Sequence, residues 1–392
     1  MPKIDSVDFF YLAMPEILDI GDGSQDALLV RVSAGGWVGW GECEASPLVS
    51  IASLICPMSH SACKPVLSSV LDQPLDEPAD ILNIHRNVRE NSLDLLQADH
   101  TLSGIDAALW DLLGKYQEEP VYRLLGYDRA YPKQPYASAL FGDTPQDTLV
   151  KAKTVRKVGF MAAKFGWGHF GRGSVQDDFE QVRAAREGLG RDAILLIDAG
   201  TVWGNDIQKA ISRMSVLQEC QVTWLEEPFF NSALSAYHEL ASMSGKVKLA
   251  GGEGAHNEFQ AQHMIDYGGV GYIQIDTGRV GGLTSAKRVA DYASAKGVIY
   301  VNHTFTSHLA LSASLQPYAG LEDHSLCEYP IELKSLAYEL TQEHLEPDSD
   351  GFINLPERPG LGMDLNLNKI KKYLVDVEII IEGKVIYRTP DF

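Results

Sequence analysis

The spacing of apolar and polar positions changes twice along the chain. From Ile4 to about Glu42 the two kinds alternate over short segments such as Ala27–Val32. Gly21/Gly23 and the pair Gly35-Gly36 interrupt the alternation, which predicts antiparallel strands joined by turns. From Glu77 to Gly126 the period becomes helical: Leu102, Ile105, Leu109, Leu112 and Leu113 fall on one face, and Gly126 closes the segment. From Gln134 to about Glu328 a third pattern takes over. Short apolar runs each end in a polar or charged residue, and an amphipathic stretch follows. The predicted strands are Tyr136–Phe141, Phe160–Phe165, Ala193–Ile197, Val222–Leu225, Val247–Ala250, Tyr272–Ile275, Val298–Val301 and Ser325–Cys327. Predicted helices between them include Gln146–Lys157, Asp177–Gly188, Asp206–Gln218, Leu283–Ala295 and Ser307–Tyr318. Such an alternation predicts an α/β fold with a parallel barrel. A doubly wound open sheet would want a Gly-rich phosphate turn after an early strand, and the sequence has none.

The remaining stretch from Thr341 carries Pro356, Pro359, Gly360 and Gly362, then β-like runs at Val375–Ile381 and Val385–Tyr387. It is expected to return to the first region. The division expected is an α+β capping domain over 1–130, a barrel over 131–340 and a C-terminal segment over 341–392. A barrel of roughly 200–250 residues plus a second domain fits a 392-residue chain.

Charge narrows the partners. Lys plus Arg number 33 against 53 Asp plus Glu, a formal net charge of −20, with no basic cluster. Nucleic acid and anionic membranes are therefore excluded as expected partners. No apolar run approaches the roughly 20 residues that span a bilayer. The N-terminus lacks a signal pattern, and five cysteines without paired spacing read as reduced, small apolar residues; a cytoplasmic protein is expected.

In a parallel barrel the chemistry gathers where strands end, at their C-terminal face. Reading those ends in order gives Lys164, Asp198, Glu226, Glu253, Asp276, His303 and Glu328, spaced 23 to 34 residues apart, close to one β/α unit each. A purely structural barrel has no reason to bring so many ionisable groups to one rim. Asp198, Glu226 and Glu253 form an all-oxygen set that suits Mg²⁺, with Mn²⁺ as a substitute; the bland alternative is solvated charges paired with Lys or Arg. Glu227 neighbours Glu226 and is expected to point away from it by strand alternation. Asp276 and His303 lie on consecutive strands, where a carboxylate can fix one imidazole nitrogen and leave the other to carry protons. Lys164 is expected across the rim, its pKa lowered by burial and the metal so that it acts as a base. His169, Arg172, His60 and His308 are weaker loop candidates, and Asn205 and Asn302 weaker still.

These residues resemble the enolase superfamily, in the mandelate racemase subgroup, over essentially the whole chain. The resemblance rests on Ser103–Lys115, Ile197-Asp198-Ala199, Trp224-Leu225-Glu226-Glu227-Pro228, Gly252-Glu253, Asp276 followed by Gly281-Gly282, Asn302-His303 and Cys327-Glu328. It implies a modified (β/α)7β barrel of the TIM type and Mg²⁺ held by Asp198, Glu226 and Glu253. It further implies an Asp276–His303 acid/base dyad and Glu328 hydrogen-bonded to a substrate carboxylate, with a small carboxylate as substrate and a homo-oligomeric state. One position departs from the pattern. Many members carry Lys-x-Lys on the second strand, and here Lys164 is alone, with Gly166 two residues on. Its role stands open between base and electrophile.

The chemistry expected is removal of the proton α to a carboxylate through an ene-diolate. Loss of a β-hydroxyl would then dehydrate an aldonate or aldarate to a 2-keto-3-deoxy acid. Return of the proton would racemise or epimerise, and cycloisomerisation belongs to the same chemistry. A non-catalytic acid-sugar-binding barrel and a metal-dependent hydrolase are the readings from other classes; the latter would want His-x-His on the first strand, and Tyr136–Phe141 has no His. Glu16–Gln25 and Ser46–His60 are the expected lid segments.

Overall fold

Alternating segments at the start of the chain do pair as antiparallel strands. The computed structural model describes residues 2–44 and 46–392. Strands β1 (Ile4–Ala13), β2 (Asp26–Ala34) and β3 (Trp37–Cys43) form an antiparallel sheet. Its inner face covers the helix Ala98–Gln117. That helix is buried on all sides from His100 to Gly114, so the one-faced pattern read from its leucines understates it. Sandwiched between the cap sheet and the barrel, it meets protein on every side.

Eight parallel strands follow: β4 (Gln134–Leu140), β5 (Ala162–Gly166), β6 (Ile194–Asp198), β7 (Trp224–Glu226), β8 (Lys248–Gly251), β9 (Tyr272–Ile275), β10 (Ile299–Asn302) and β11 (Leu326–Pro330). They are hydrogen-bonded in the order β10-β9-β8-β7-β6-β5-β4-β11, a nearly closed barrel. The seam between β10 and β11 is stitched by a side chain. Asn302 accepts from the Glu328 N–H at 2.9 Å through Oδ1 and donates to the Glu328 carbonyl at 3.4 Å through Nδ2. Inside, Tyr136, Ala162, Leu196, Trp224, Ala250, Val301 and Leu326 form one buried apolar layer. Each of the larger side chains contributes roughly 1.5–3 kcal/mol by leaving water, and together the seven plug the barrel beneath its mouth.

Most predicted helices are present within a few residues. The stretch read as one helix over Asp206–Gln218 is instead two, Ile207–Ile211 and Met214–Glu219. The break falls where the buried Arg213 guanidinium is drawn to Asp178 at 2.9 Å. At the far end, β12 (Glu378–Ile381) and β13 (Lys384–Arg388) make a hairpin. The chain just before it meets the cap sheet: Leu374 bridges Leu12, the Val375 N–H donates to the Tyr11 carbonyl at 2.8 Å, and the Phe392 ring stacks on Phe10. Among the described residues no helix is long and apolar enough to cross a membrane, and all five cysteines are free, with Cys56 and Cys63 half-buried.

Candidate active site at the barrel mouth

Side chains along a strand alternate, so the layer above the apolar plug comes two residues later in each strand. That layer is Ser138, Lys164, Asp198, Glu226, Asp276, His303 and Glu328, all buried. Glu253 breaks the count. Gly252 precedes it with φ +124°, a conformation open to glycine, and a Cβ there would lie 2.8 Å from the Gln274 carbonyl. This local turn re-aims Glu253 into the mouth, where its Oε2 stands 3.2 Å from His303 Nε2. Five of the seven strand-end residues, Lys164, Asp198, Glu253, His303 and Glu328, line one cleft of about 280 Å³ together with Glu44, Arg279, Trp167, Phe305 and the cap segment Ile20–Gly23, and Glu226 and Asp276 sit behind it on Lys164 and His303.

Lys164 lies at the centre of the acids. Its Nζ is 2.5 Å from Glu226, 2.9 Å from Glu328 and 3.8 Å from Asp198. Burial works against the ammonium, but Glu226 and Glu328 outweigh it and hold its pKa well above the usual lysine range. The expected lowering is thus reversed, because burial came with three carboxylates. Gly166, the position of a possible second lysine, pairs with Asp198 in the adjoining strand, and a Cβ there would approach the Asp198 Cβ to 2.6 Å. Glu328 accepts from Ser138 Oγ at 2.7 Å and from the Thr304 N–H at 2.8 Å as well as from Lys164. Burial alone would raise its pKa, yet Lys164 and His303 hold it below the usual carboxylate value. It is an ionised acceptor here.

Across the mouth, His303 Nδ1 and Asp276 Oδ2 are 2.7 Å apart, so the two residues from consecutive strands do meet. Asp276 is itself fixed by the Gly278 N–H at 2.7 Å. Desolvation disfavours the charged imidazole, but Glu253, Glu328 and Asp276 overcome it and raise His303 to about 10.

The acids outnumber the cations at this mouth. Burial, opposed by Lys164 and reinforced by neighbouring carboxylates, raises Asp198 to about 6 and Glu226 to about 8. Glu227 does not simply point away. Its backbone is left-handed, with φ +39°, and its buried Oε1 has no hydrogen-bond partner among the described residues. Burial first, then Glu253 and Asp198, raises its pKa. No three acid, imidazole or thiol groups among the described residues form a ready-made metal cage. In this structure Lys164 supplies the positive charge between Asp198 and Glu226. Crowded, desolvated carboxylate oxygens with an unpaired Glu227 oxygen beside them are nonetheless the donor set that a hard divalent cation fits.

Several residues at the cleft escape a reading of strand ends. Arg279, three residues past Asp276, joins Glu44 of the cap to Glu253, with Nε on Glu44 and Nη1 3.6 Å from Glu253. Trp167 follows β5 by one residue. Their loop positions carried no periodic signal, although Asp276-x-x-Arg279 lay in plain sight. Of the two expected lids, Ile20–Gly23 lines the cleft, whereas Pro47–Ile55 is a helix whose residues do not. The lesser candidates lie elsewhere: His60 faces Asp94 at 3.1 Å on the cap, His169 borders a separate groove, and His308 is buried against Tyr329 and His344. Asn302 serves the seam, and neither Arg172 nor Asn205 lines the cleft.

Comparison with known proteins agrees with this architecture. The family model for the mandelate racemase / muconate lactonizing enzyme N-terminal domain matches residues 18–126. The enolase C-terminal domain-like model matches residues 147–369. D-galactarolactone cycloisomerase of Agrobacterium fabrum is 28% identical over 351 residues, 86% of this chain and 88% of its own. Arabinonate dehydratase of Saccharolobus solfataricus is 25% identical over 274 residues, 69% of this chain and 71% of its own. The crystal structure of a predicted mandelate racemase from Rhodobacter sphaeroides is 57% identical and superposes with a TM-score of 0.96, covering 100% of both chains.

Proposed function

The chain belongs to the mandelate racemase / muconate lactonizing enzyme family of the enolase superfamily, and from that premise we propose that it removes the proton α to the carboxylate of a sugar acid and dehydrates an aldonate or aldarate to a 2-keto-3-deoxy acid. The observation that carries the reading is the His303–Asp276 pair facing a cleft whose other side holds Lys164 and Glu328.

Enzymes of this superfamily work with Mg²⁺ and a Lys or His base. Asp198, Glu226 and Glu253 would hold the ion, with Glu227 alongside and Mn²⁺ as a substitute. When bound, it supplies the positive charge that lets a carboxylate take on a second negative charge. Lys164, kept protonated by its neighbours, acts as an electrophile toward the substrate carboxylate, and Glu328 and Ser138 orient it. His303 moves the proton: Asp276 holds Nδ1, which leaves Nε2 facing the cleft. Neutral Nε2 takes the α-proton, and the same proton passed to the β-hydroxyl as its C–O bond breaks releases water and leaves an enol, which rearranges to the keto acid.

A second reading is cycloisomerisation, in which a ring oxygen leaves in place of the hydroxyl. It is favoured by the longer span shared with D-galactarolactone cycloisomerase than with arabinonate dehydratase, 86% of this chain against 69%. A sugar-acid library with Mg²⁺, assayed for 2-keto-3-deoxy products and for deuterium uptake at the α-carbon, separates the two. Product that disappears with EDTA and in His303→Asn supports dehydration. Ring opening without loss of water moves the assignment to cycloisomerase, and neither product nor α-exchange with any acid rejects both.

A further inference from the structure

The cap side of the cleft is built unlike its floor. Trp167 stands there with a left-handed backbone, φ +58°, a strained conformation for a bulky residue and one that concentrates at working sites. Two glycines clear room for its indole. A Cβ on Gly21 of the cap would fall 2.7 Å from the ring, and one on Gly200 would fall 3.0 Å from it. The cap thus closes onto Trp167, and Ile20 and the Phe305 loop complete the wall. Among the described residues the indole N–H has no acceptor, so it is free to donate to a ligand.

Asp22 and Glu44 line this end, and the cations beside them are already engaged: Lys334 lies 3.4 Å from Asp22, and Arg279 is held between Glu44 and Glu253. A second carboxylate placed here would have to break one of these pairs to find a cation.

We infer that Trp167 is a specificity-determining residue which selects sugar acids bearing a single carboxylate, whose uncharged distal carbons pack against the part of the indole that lines the cleft, and which disfavours dicarboxylic aldarates. This rests on the α-proton chemistry proposed above and decides between its two substrate classes. Monoacids in ring form, with a lactone or an ether bridge, satisfy the same wall.

The test compares six-carbon aldonates and ring monoacids with the matching aldarates, using the full chain with Mg²⁺ and reading α-deuterium uptake and product. Single-carboxylate substrates should lead by about 100-fold in kcat/KM. Trp167→Ala should raise KM for the preferred acid about 10-fold, with the loss falling on KM and not on kcat. Trp167→Phe, which keeps a flat ring, should lose less. Equal turnover of mono- and diacids by the wild type, or an unchanged KM in Trp167→Ala, overturns the inference and leaves the α-proton reading standing. Absence of both product and α-exchange with every acid removes that reading and the inference with it.

Discussion

At the residue scale, the mouth is a problem of too many carboxylates, and two cations settle it differently. Lys164 is surrounded by Glu226, Glu328 and Asp198 and stays protonated. His303 takes its charge from Glu253 and Glu328 as well as from Asp276, which together lift it to about 10. If Glu253 is a metal ligand, Mg²⁺ cancels the first of these contributions, and the imidazole should deprotonate at lower pH than it does without the ion. Titrating His303 by NMR with and without Mg²⁺ reads this directly, and an identical pKa in both would remove Glu253 from the ligand set. The dyad itself can be separated from the charge. Asp276→Asn keeps the shape but leaves Nδ1 without its carboxylate, so the imidazole loses the partner that fixes its tautomer. Alpha-proton exchange should fall by about 10²–10⁴-fold with an unchanged denaturation midpoint; full activity would show that Asp276 merely fills space.

Elements decide which of these residues could be seen in the sequence. The seven strand ends were legible because a parallel barrel repeats one β/α unit, and the same position of each unit faces inward. Side-chain alternation then gave six of the seven, and Glu253 joined them through the turn at Gly252. What periodicity cannot report is contact between elements distant in sequence. Arg279, Glu44 and Trp167 acquire their roles when the cap docks on the barrel. That docking has its own hydrogen bonds at the start of the barrel helix Gly282–Lys296, whose first N–H groups have no partner within the helix. Asp106 of the cap helix accepts from the Thr284 N–H at 3.0 Å and from Thr284 Oγ1 at 2.6 Å. Ser103 Oγ accepts from the Gly281 N–H at 2.9 Å. Asp106→Ala strips two buried donors of their acceptor and should cost about 2–4 kcal/mol in urea denaturation. Burial raises the Asp106 carboxyl to about 7, so much of it is neutral already, and Asp106→Asn should cost less. Equal losses in the two variants would mean that the contact matters for its charge.

Over the whole molecule, stability against pH reflects two sets of buried groups that act in opposite directions. Burial raises Asp26 to about 6 and Glu42 and Asp106 to about 7. These acids hold more protons when folded, so their contribution declines as pH rises from the ordinary carboxylate range toward 7. The histidines do the reverse. Burial, and for His308 the neighbouring His344, lowers His85 to about 3 and His308 to about 4. Each is neutral in the fold and takes up a proton on unfolding below its ordinary value near 6.5. The stability they allow is complete above that value and is lost as pH falls toward the folded pKa. His308 isolates one such group, because it lies outside the cleft and its Nδ1 accepts from the Leu345 N–H at 3.2 Å. Asparagine can supply that acceptor without titrating. Between pH 6.5 and about 4, His308→Asn should lose stability less steeply than the wild type, by up to about 1.4 kcal/mol per pH unit. Urea midpoints at pH 5 and pH 7.5 measure the difference in slope, which is insensitive to whatever packing the smaller side chain gives up at both values. Parallel slopes would place the acid sensitivity in the other buried histidines.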